Sequence, residues 1–321
     1  MLFALLLRGL VAARCAPASP SPGAVRDDAD GPAALALTVR LYDDDAERTV
    51  TLPLEEYVLH VAAGEMPASF AGEAIRAQTV AARTYTVYHM LHGGCRSHDA
   101  DVCTGSGCCQ AYCAEADMQA KWGERYAENR ALFAEAAADT AGAVLLYDGE
   151  VVEALYHSAS GGHTENAEDV YSAALPYLRG VESTAECGTR RLYGEKRFSA
   201  EAFVALVNAE WPKARLTVKK LQKQVAIEET LNSGRVKTLR LGNVTVTGRQ
   251  ARGAFSLDSA LFTLTVENGE VAFFTRGFGH GVGMSQTGAN AMALAGRTWE
   301  EIVRYYYTGV TVGLVTTADG E

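Results

Sequence analysis

A single acidic residue, Glu65, stands between two helical patterns and is well placed to act as an acid. Apolar side chains recur at helical spacing from residue 54 to residue 62, which predicts a helix that ends near Gly64. Glu65 would then lie at the helix C-terminus, where the helix dipole disfavours a negative charge. Because such a position favours the protonated carboxyl, Glu65 is a candidate general acid. The alternative is a solvated glutamate, as most charged residues are solvated.

The second helical pattern, residues 77–91, carries an arginine that could assist this acid. Its apolar positions form one stripe, and Arg83 falls on another face together with Arg76 and two threonines. A helix that buries the stripe would direct Arg83 back toward Glu65. The alternative is a helical hairpin in which Arg83 and Glu65 are both solvated.

Three ordered blocks of sequence resemble the family of stage II sporulation protein D and the LytB amidase enhancers. The first block contains GEMPASF and AIRAQTVAARTY, around Glu65. The second is YHSASGGHTENAEDVY, residues 156–171, followed by PYLRGVES. The third covers residues 276–310 and begins RGFGHGVGMSQTGA, so that the blocks together cover most of residues 40–313. The resemblance implies a protein that acts on the bacterial cell wall, with Glu65 as its catalytic residue.

Composition describes an ordinary globular protein. The chain has 321 residues, enough for one large domain or two, with 48% apolar and 21% charged residues. Its net charge of −10 argues against a general nucleic-acid binder, which normally carries a basic patch. A mostly uncharged glycan would not be repelled by this charge.

The N-terminal segment, residues 1–35, is predicted to be a weak signal or anchor followed by a disordered linker. Its apolar part is short, is interrupted by Arg8 and is not long enough to span a bilayer as written. Residues 17–32 are rich in Pro, Ala, Ser, Gly and Asp, which is typical of a linker. The resemblance implies a catalytic part at the extracytoplasmic face of the cell membrane.

Five of the seven cysteines lie between residues 95 and 113, in a loop that also contains several glycines. Dense cysteines with a nearby histidine suit a tetrahedral zinc site. Some family members resemble zinc proteins, and their ligand pattern falls on four residues here: His98, Cys103, Cys108 and Cys109. Zinc held by four protein ligands would be structural. The alternative is one or two disulfides, for which Cys95 and Cys113 could pair.

The second block is predicted to contribute a glycan-binding loop. A β-hairpin through an Asp-Gly turn is predicted at residues 144–156, and the turn-rich segment Ser160-Gly161-Gly162 follows it. Backbone N–H groups and the Ser160 hydroxyl could contact a sugar, although the same glycines also suit a tight connection with positive φ. A serine hydrolase is disfavoured because no nucleophile-elbow pattern surrounds Ser160.

Two further residues of this block, Tyr177 and Arg179, match positions that the resemblance links to activity. Tyr177 could stack on a sugar ring. Arg179 could bind an N-acetyl group or a lactyl carboxylate. Without the resemblance, both would be interpreted as ordinary surface residues.

The third block is a glycine-rich turn that leads into a helical run, residues 285–294. Such a turn can cradle phosphate, but no βαβ unit or P-loop lysine accompanies it, so a nucleotide site is disfavoured. The resemblance implies instead that the glycines let the backbone approach a glycan and that His280 and Gln286 line the cleft. The alternative for His280 is a hydrogen-bonded structural histidine.

The predicted fold class is α+β. We expect a helical catalytic hairpin packed with mixed or antiparallel β structure around a cleft, and an α+β insertion that forms a second lobe. The predicted segments are the signal or anchor and linker (1–35), the catalytic core with its cysteine-rich loop (36–195), the insertion (196–270), the C-terminal part of the core (271–313) and a flexible tail (314–321).

The resemblance implies a lytic transglycosylase that cleaves peptide-stripped peptidoglycan strands to 1,6-anhydro-N-acetylmuramic acid ends, in septal wall remodelling and engulfment during sporulation. One carboxyl group suits this reaction because the sugar supplies its own nucleophile, whereas ordinary glycosidases use two carboxyl groups. The implied partners are a cell-wall amidase and the membrane scaffold of the engulfment complex. Two alternatives are a non-catalytic glycan-binding modifier that stimulates the amidase and a zinc hydrolase that uses the cysteine-rich loop.

Overall fold

The α+β fold class is confirmed by a computed structural model, which describes residues 11–15, 37–171, 173–184, 186 and 192–317. The helices are α1 (Leu54–Glu65), α2 (Gly72–Leu91), α3 (Glu115–Trp122), α4 (Tyr126–Asp139), α5 (Ala167–Val170), α6 (Ala200–Glu210), α7 (Leu221–Gln224), α8 (Gly248–Ala254), α9 (Gln286–Leu294) and α10 (Trp299–Tyr306).

The strands are short, and most of them pair with antiparallel neighbours. They are β1 (Val11–Cys15), β2 (Thr38–Asp43), β3 (Arg48–Pro53), β4 (Val102–Cys103), β5 (Ala143–Tyr147), β6 (Glu150–Val151), β7 (Tyr156–His157), β8 (Gly162–His163), β9 (Glu182–Ser183), β10 (Tyr193–Ser199), β11 (Val225–Thr230), β12 (Val236–Leu241), β13 (Val244–Thr247), β14 (Phe262–Glu267), β15 (Glu270–Arg276), β16 (Met284–Ser285) and β17 (Thr311–Thr317).

The chain divides into two compact units. Unit 1 consists of Met1–Ala154, Arg297–Arg304 and Gly309–Glu321, and unit 2 consists of Leu155–Gly296 and Tyr305–Thr308. The predicted insertion, 196–270, lies wholly within unit 2. The predicted core segment, 36–195, is instead divided between the units, because β7 pairs with β16 inside unit 2.

The predicted flexible tail, 314–321, begins inside β17. Residues 314–317 pair with β1, and Leu314 also pairs with Ala143 of β5. The predicted signal or anchor lies outside the described residues, except for β1. Within the described ranges, the structure contains no helix with the length and apolar character needed to cross a bilayer.

Helix α1 begins and ends where its sequence dictates. Pro53 precedes it, and two glutamates occupy its first turn, where the helix dipole stabilises negative charge. The helix ends at Glu65 because Met66 is extended, with φ of −112° and ψ of 142°, as expected for a residue that precedes proline. Its apolar side chains pack in a core that includes Val39, Val61 and Val144. Glu65 therefore occupies the helix C-terminus, as predicted.

Helix α2 is enclosed on all sides, which differs from the two-faced helix that its pattern predicts. Its residues from Ala74 to Val87 are buried except for Arg76, and the buried ones include Gln78, Arg83 and three threonines. The buried threonines tolerate this because their hydroxyls donate to the carbonyl four residues earlier, as in the 2.6 Å bond from Thr84 to Val80. Thr84 also accepts the N–H of Leu145 at 3.0 Å, which joins α2 to β5.

Unit 2 has its own core, in which aliphatic side chains and a group of phenylalanines pack between helices and two three-stranded antiparallel sheets. Helix α6 lies in the predicted insertion, and the hydroxyl of Ser199 caps it by accepting the N–H of Ala202. Strands β10 to β15 also belong to unit 2. In unit 1, the predicted Asp-Gly hairpin joins β5 to β6, with positive φ at Asp148 and Gly149.

Candidate functional site

Glu65 is half-buried at the end of α1, and one of its carboxylate oxygens is fixed by the backbone. The N–H of Ala111 donates a 2.8 Å hydrogen bond to Oε1 of Glu65. This bond favours the charged carboxylate and opposes the effect of the helix end. Lys121 also lies at this end of α1, where its Nζ donates to the carbonyl of Ala63 at 2.9 Å. The environment of Glu65 is therefore more balanced than the dipole argument alone predicts.

The segment that contains Ala111 is anchored to both helices of the hairpin. The side-chain amide of Gln110 is buried and donates to the hydroxyl of Thr86 at 3.1 Å and to that of Tyr57 at 3.4 Å. Gly64 lets this segment approach α1, because a Cβ on Gly64 would stand 2.6 Å from the carbonyl oxygen of Ala111. The position of the Ala111 N–H is thus set by contacts on either side of it.

The prediction that Arg83 points toward Glu65 is wrong. Its side chain is fully buried and forms a bidentate ion pair with Glu55: Nε donates to Oε1 at 2.9 Å and Nη2 donates to Oε2 at 2.5 Å. Nη1 also donates to the carbonyl of Ala143 at 3.2 Å. Glu55 is in the first turn of α1, about 15 Å along the helix axis from Glu65. Arg83 therefore stabilises the packing of α1, α2 and β5, and it is not accessible to a sugar.

Four thiols converge in the cysteine-rich loop, but they are not the predicted zinc ligand set. The sulphur atoms of Cys95, Cys103, Cys108 and Cys109 all lie within 4.8 Å of one another. His98 is outside this group: it stacks on Tyr42 with ring centroids 3.7 Å apart and lies 3.2 Å from Asp44. It shares a second, three-residue cluster with Asp44 and Cys103. Cys95 thus takes the place that the sequence assigned to His98.

The thiols of this cluster are suited to tetrahedral metal binding in their geometry. Sγ of Cys108 lies 3.5 Å from Sγ of Cys95 and 4.0 Å from that of Cys109. Tetrahedral zinc with bonds of about 2.3 Å to sulphur would separate its ligands by about 3.8 Å. Burial raises the pKa of Cys103 to about 12, whereas hydrogen bonds from Ser97 and Cys95 outweigh burial and lower the pKa of Cys108. These cysteines and Cys113 are free thiols in the structure.

The predicted glycan-binding loop at Ser160 is largely occupied by internal bonds. Ser160 and Gly161 are buried, and their N–H groups donate to the carboxylate of Glu186 at 3.1 and 2.9 Å. The N–H of Gly162 donates to the Ser160 hydroxyl at 3.0 Å. The N–H groups of Ser160 and Gly161, which were expected to contact a sugar, are therefore occupied within the protein, and only Gly162 is partly exposed in this tripeptide.

Arg179 is also engaged within unit 2. Its guanidinium binds both oxygens of Glu168, at 2.6 and 2.5 Å, and donates to the carbonyl of Leu175 at 2.9 Å. The hydrogen bond from Arg179 lowers the pKa of Glu168, and Glu168 in turn raises the pKa of Arg179. These bonds do not support a lactyl-binding role for Arg179. Tyr177 lies nearby in the chain and is 8% exposed.

His280 has the properties of the structural alternative. Its Nε2 donates to the carbonyl of Tyr156 at 2.9 Å, and its Nδ1 accepts the N–H of Val282 at 3.1 Å. This pattern requires a neutral ring, and burial lowers its pKa to about 4. The predicted role of His280 in lining a cleft is therefore not supported. Gln286 is the first residue of α9 and is 5% exposed.

Unit 2 also contains residues that the sequence did not single out. Buried Arg235 donates to the carbonyls of Ser160 and His163, both at 2.7 Å, and so holds the loop in position from its buried side. Arg276 lies against Gly162 and is exposed. Its position immediately before the glycine-rich turn could have identified Arg276 as a candidate from the sequence. Glu186 and Arg235 could not be identified in this way, because they are distant from the loop in the sequence.

The predicted site residues thus fall into two groups. Glu65, Arg83 and the thiol cluster belong to unit 1, and the remaining ones belong to unit 2. Within unit 1, the thiol cluster and Glu65 are connected through Gln110 and Ala111. Within unit 2, the loop at Ser160 is held between Glu186 and Arg235.

Comparison with known proteins places the chain in a family. The family model described as Stage II sporulation protein (SpoIID) matches residues 42–147. Stage II sporulation protein D of Bacillus subtilis (strain 168) is 34% identical over 277 residues, which cover 86% of this chain and 79% of the relative. The protein of the same name from Bacillus amyloliquefaciens is 34% identical over 284 residues, with 86% and 78% covered.

A more distant relative carries a different name. The amidase enhancer of Bacillus subtilis (strain 168) is 27% identical over 295 residues, which cover 77% of this chain and 39% of the relative. The resemblance of the three sequence blocks is confirmed by these matches. The chain belongs to the stage II sporulation protein D family.

Proposed function

We propose that this chain is a peptidoglycan lytic transglycosylase whose acid and base is Glu65. The observation that carries the proposal is the fixed carboxylate at the end of α1, with Oε1 held by the N–H of Ala111. Because Oε1 accepts this hydrogen bond, the labile proton resides on Oε2. A carboxyl group with one oxygen held and the other protonated is oriented for proton transfer.

The reaction needs this one carboxyl group twice. Glu65 first donates its proton to the glycosidic oxygen that joins C1 of N-acetylmuramic acid to the next sugar, and the C1–O bond breaks. The C6 hydroxyl of the same muramic acid then attacks C1, and the carboxylate of Glu65 accepts the hydroxyl proton. The products are a 1,6-anhydro end and a free hydroxyl on the leaving sugar, and Glu65 is again protonated. No water and no second carboxylate is consumed, unlike in ordinary glycosidases.

The surroundings of Glu65 suit both steps. The negative end of the α1 dipole favours the protonated acid before cleavage. The Ala111 N–H stabilises the carboxylate that exists between the two proton transfers. Opposing influences of this kind keep both protonation states accessible, as a group that serves first as acid and then as base requires.

The thiol cluster is proposed to hold a structural zinc ion. The four ligands would be Cys95, Cys103, Cys108 and Cys109, whose sulphur spacing suits tetrahedral coordination. A zinc ion bound there would cross-link the loop and would leave no open coordination position for a substrate. Its effect on Glu65 would be indirect, because Cys109 precedes Gln110 and Ala111 in the chain. The zinc hydrolase alternative is disfavoured because a zinc ion with four protein ligands has no open coordination position for a substrate.

The remaining features of the proposal concern substrate and place. Tyr177 and Gln286 stay proposed sugar contacts, and the substrate is proposed to be glycan from which an amidase has removed the stem peptides. We place this activity at the extracytoplasmic face of the cell membrane, in wall remodelling during sporulation, with a membrane scaffold as a further partner. A distant relative is named amidase enhancer, which supports the second candidate function: a glycan-binding modifier that stimulates an amidase without cleaving glycan.

Mass spectrometry of peptide-free glycan after digestion separates the two candidates. The transglycosylase produces new 1,6-anhydro ends, and the Glu65→Gln variant does not. A modifier produces no new ends with either protein, although it would raise the activity of an added amidase. Anhydro ends at the wild-type rate from Glu65→Gln would exclude the proposed mechanism.

A further inference from the structure

Arg276, the last residue of β15, presents an exposed guanidinium beside Gly162. No ion pair or side-chain hydrogen bond with another described residue occupies this guanidinium. Two other arginines of unit 2 differ in this respect, because Arg179 and Arg197 each bind a glutamate. Arg276 is therefore a cation that is available to a ligand.

The backbone at Gly161 and Gly162 is shaped to lie directly against Arg276. A Cβ on Gly162 would stand 3.4 Å from Nη2 and 3.7 Å from Cζ of Arg276, and φ at Gly162 is +119°. A Cβ on Gly161, where φ is +78°, would stand 3.1 Å from the carbonyl oxygen of Arg276. Side chains at these two positions would be strained and would crowd the arginine.

The loop beside Arg276 is held in place by two buried charged residues. The carboxylate of Glu186 accepts the N–H groups of Ser160 and Gly161, and the guanidinium of Arg235 donates to two loop carbonyls at 2.7 Å. Both side chains are nearly inaccessible to solvent. The surface next to Arg276 is thus fixed before a ligand arrives, which lowers the entropic cost of binding.

An exposed aromatic ring stands next to Arg276 on the same face of the sheet. Tyr193 in β10 is the direct cross-strand partner of Arg276, and directly paired residues project from the same face. Tyr193 is 69% exposed. Aromatic rings of this kind stack on the apolar faces of sugars, and an adjacent arginine can bind a carboxylate with two parallel hydrogen bonds.

We propose that Arg276 and Tyr193 form a subsite for a carboxylated sugar, the muramic acid residue of peptide-stripped glycan. This inference rests on the proposed function, because it names the part of that substrate which unit 2 recognises. In intact peptidoglycan the lactyl carboxyl group is bonded to the stem peptide as a neutral amide. After the peptide has been removed, the same group is an ionised carboxylate at neutral pH. Arg276 therefore selects stripped over peptide-bearing strands.

The test is binding of two matched probes to the full chain carrying Glu65→Gln, which prevents cleavage during the measurement. One probe is a tetrasaccharide of alternating N-acetylglucosamine and N-acetylmuramic acid with free lactyl carboxylates. The other is the same tetrasaccharide with both carboxylates converted to methylamides. Isothermal titration calorimetry is expected to show tighter binding of the acid probe. Adding Arg276→Gln should weaken binding of the acid probe by roughly 10- to 100-fold and leave that of the amide probe unchanged.

Two further variants make the outcome decisive. Arg197→Gln removes another exposed arginine of the same sheet face and should alter neither affinity. Arg276→Lys keeps the charge and should retain part of the preference for the acid probe. An unchanged preference in Arg276→Gln would overturn the inference, and so would an equal loss for both probes. Thermal unfolding of each variant establishes that the fold is retained.

This test fails separately from the test of catalysis. If the chain produces no anhydro ends but Arg276→Gln abolishes the preference for the acid probe, the subsite stands and the transglycosylase proposal falls. If cleavage depends on Glu65 but the two probes bind equally well to the Glu65→Gln chain, the transglycosylase proposal stands and the subsite proposal falls.

Discussion

The N–H of Ala111 and Oε1 of Glu65 form a 2.8 Å hydrogen bond that joins the end of α1 to the segment leaving the thiol cluster. Gln110 anchors the same segment to Thr86 on α2. The orientation of the proposed acid thus depends on a chain segment as well as on its own helix. The close approach of this segment to Gly64 offers a direct way to disturb the arrangement.

Gly64→Ala is expected to displace Ala111 and reduce the rate of glycan cleavage. The added Cβ would stand 2.6 Å from the carbonyl oxygen of Ala111. Overpacking of this kind costs about 1–3 kcal/mol of unfolding free energy, which urea unfolding can measure. Gly253→Ala is the matched control: Gly253 lies in helix α8 with no atom within 4 Å of its Cβ position. This control should be neutral or slightly stabilising, and similar behaviour of the two variants would contradict the proposed packing.

Arg83→Met is expected to destabilise the protein by about 3 kcal/mol, because it removes a fully buried guanidinium and leaves the partly exposed carboxylate of Glu55 without its ion-pair partner. Urea unfolding measures the loss. Arg125→Met removes an exposed ion pair with Glu128 and should cost less than about 0.5 kcal/mol. An Arg83→Met variant that unfolds at the wild-type urea concentration but no longer cleaves glycan would contradict this structural role.

Zinc content distinguishes the ligand set of the structure from the one the sequence predicts. Elemental analysis of purified protein should find one zinc ion per chain in the wild type and in His98→Gln, because the four thiols form a complete tetrahedral set. Cys95→Ser should lose most of the metal. Retention of zinc in Cys95→Ser together with its loss in His98→Gln would restore the predicted ligand set.

His280 should make the protein less stable in acid. Its folded-state pKa of about 4 lies below the value of about 6.5 expected in the unfolded chain. At pH 5 the unfolded state therefore binds a proton that the folded state does not, and acidification favours unfolding. Between pH 7 and pH 5 the wild type should lose roughly 1–2 kcal/mol more unfolding free energy than His280→Gln. Parallel pH profiles for the two proteins would refute this role.

Local features of the sequence predicted local structure well. The end of α1 at Glu65 and the Asp148-Gly149 turn each depend on residues a few positions apart. Short-range capping and turn chemistry are encoded at this distance. The predicted α+β fold class depends on helical and strand periodicities, which are also local features, and it is confirmed.

The partners of charged and polar side chains were not predictable in the same way. Arg83 lies on α2 and three glutamates lie on α1, and helical periodicity does not decide between Glu55 and Glu65 as its partner. The carboxylate of Glu186 occupies the N–H groups near Ser160 from 26 residues away along the chain. Spacing also cannot show that the loop after α2 brings Cys95, and not His98, to the other thiols. These contacts depend on the tertiary fold.

The most direct test of the central proposal is the amount of 1,6-anhydro-N-acetylmuramic acid released from peptide-free glycan by the wild type and by Glu65→Gln. Both proteins should have the same circular dichroism spectrum and the same unfolding temperature within about 3 °C, since a half-buried carboxyl is replaced by an amide of equal size. Abundant anhydro ends are expected from the wild type, and at least a roughly hundredfold lower rate from the variant. Equal rates from the two proteins, or no anhydro ends from the wild type, would contradict the proposal.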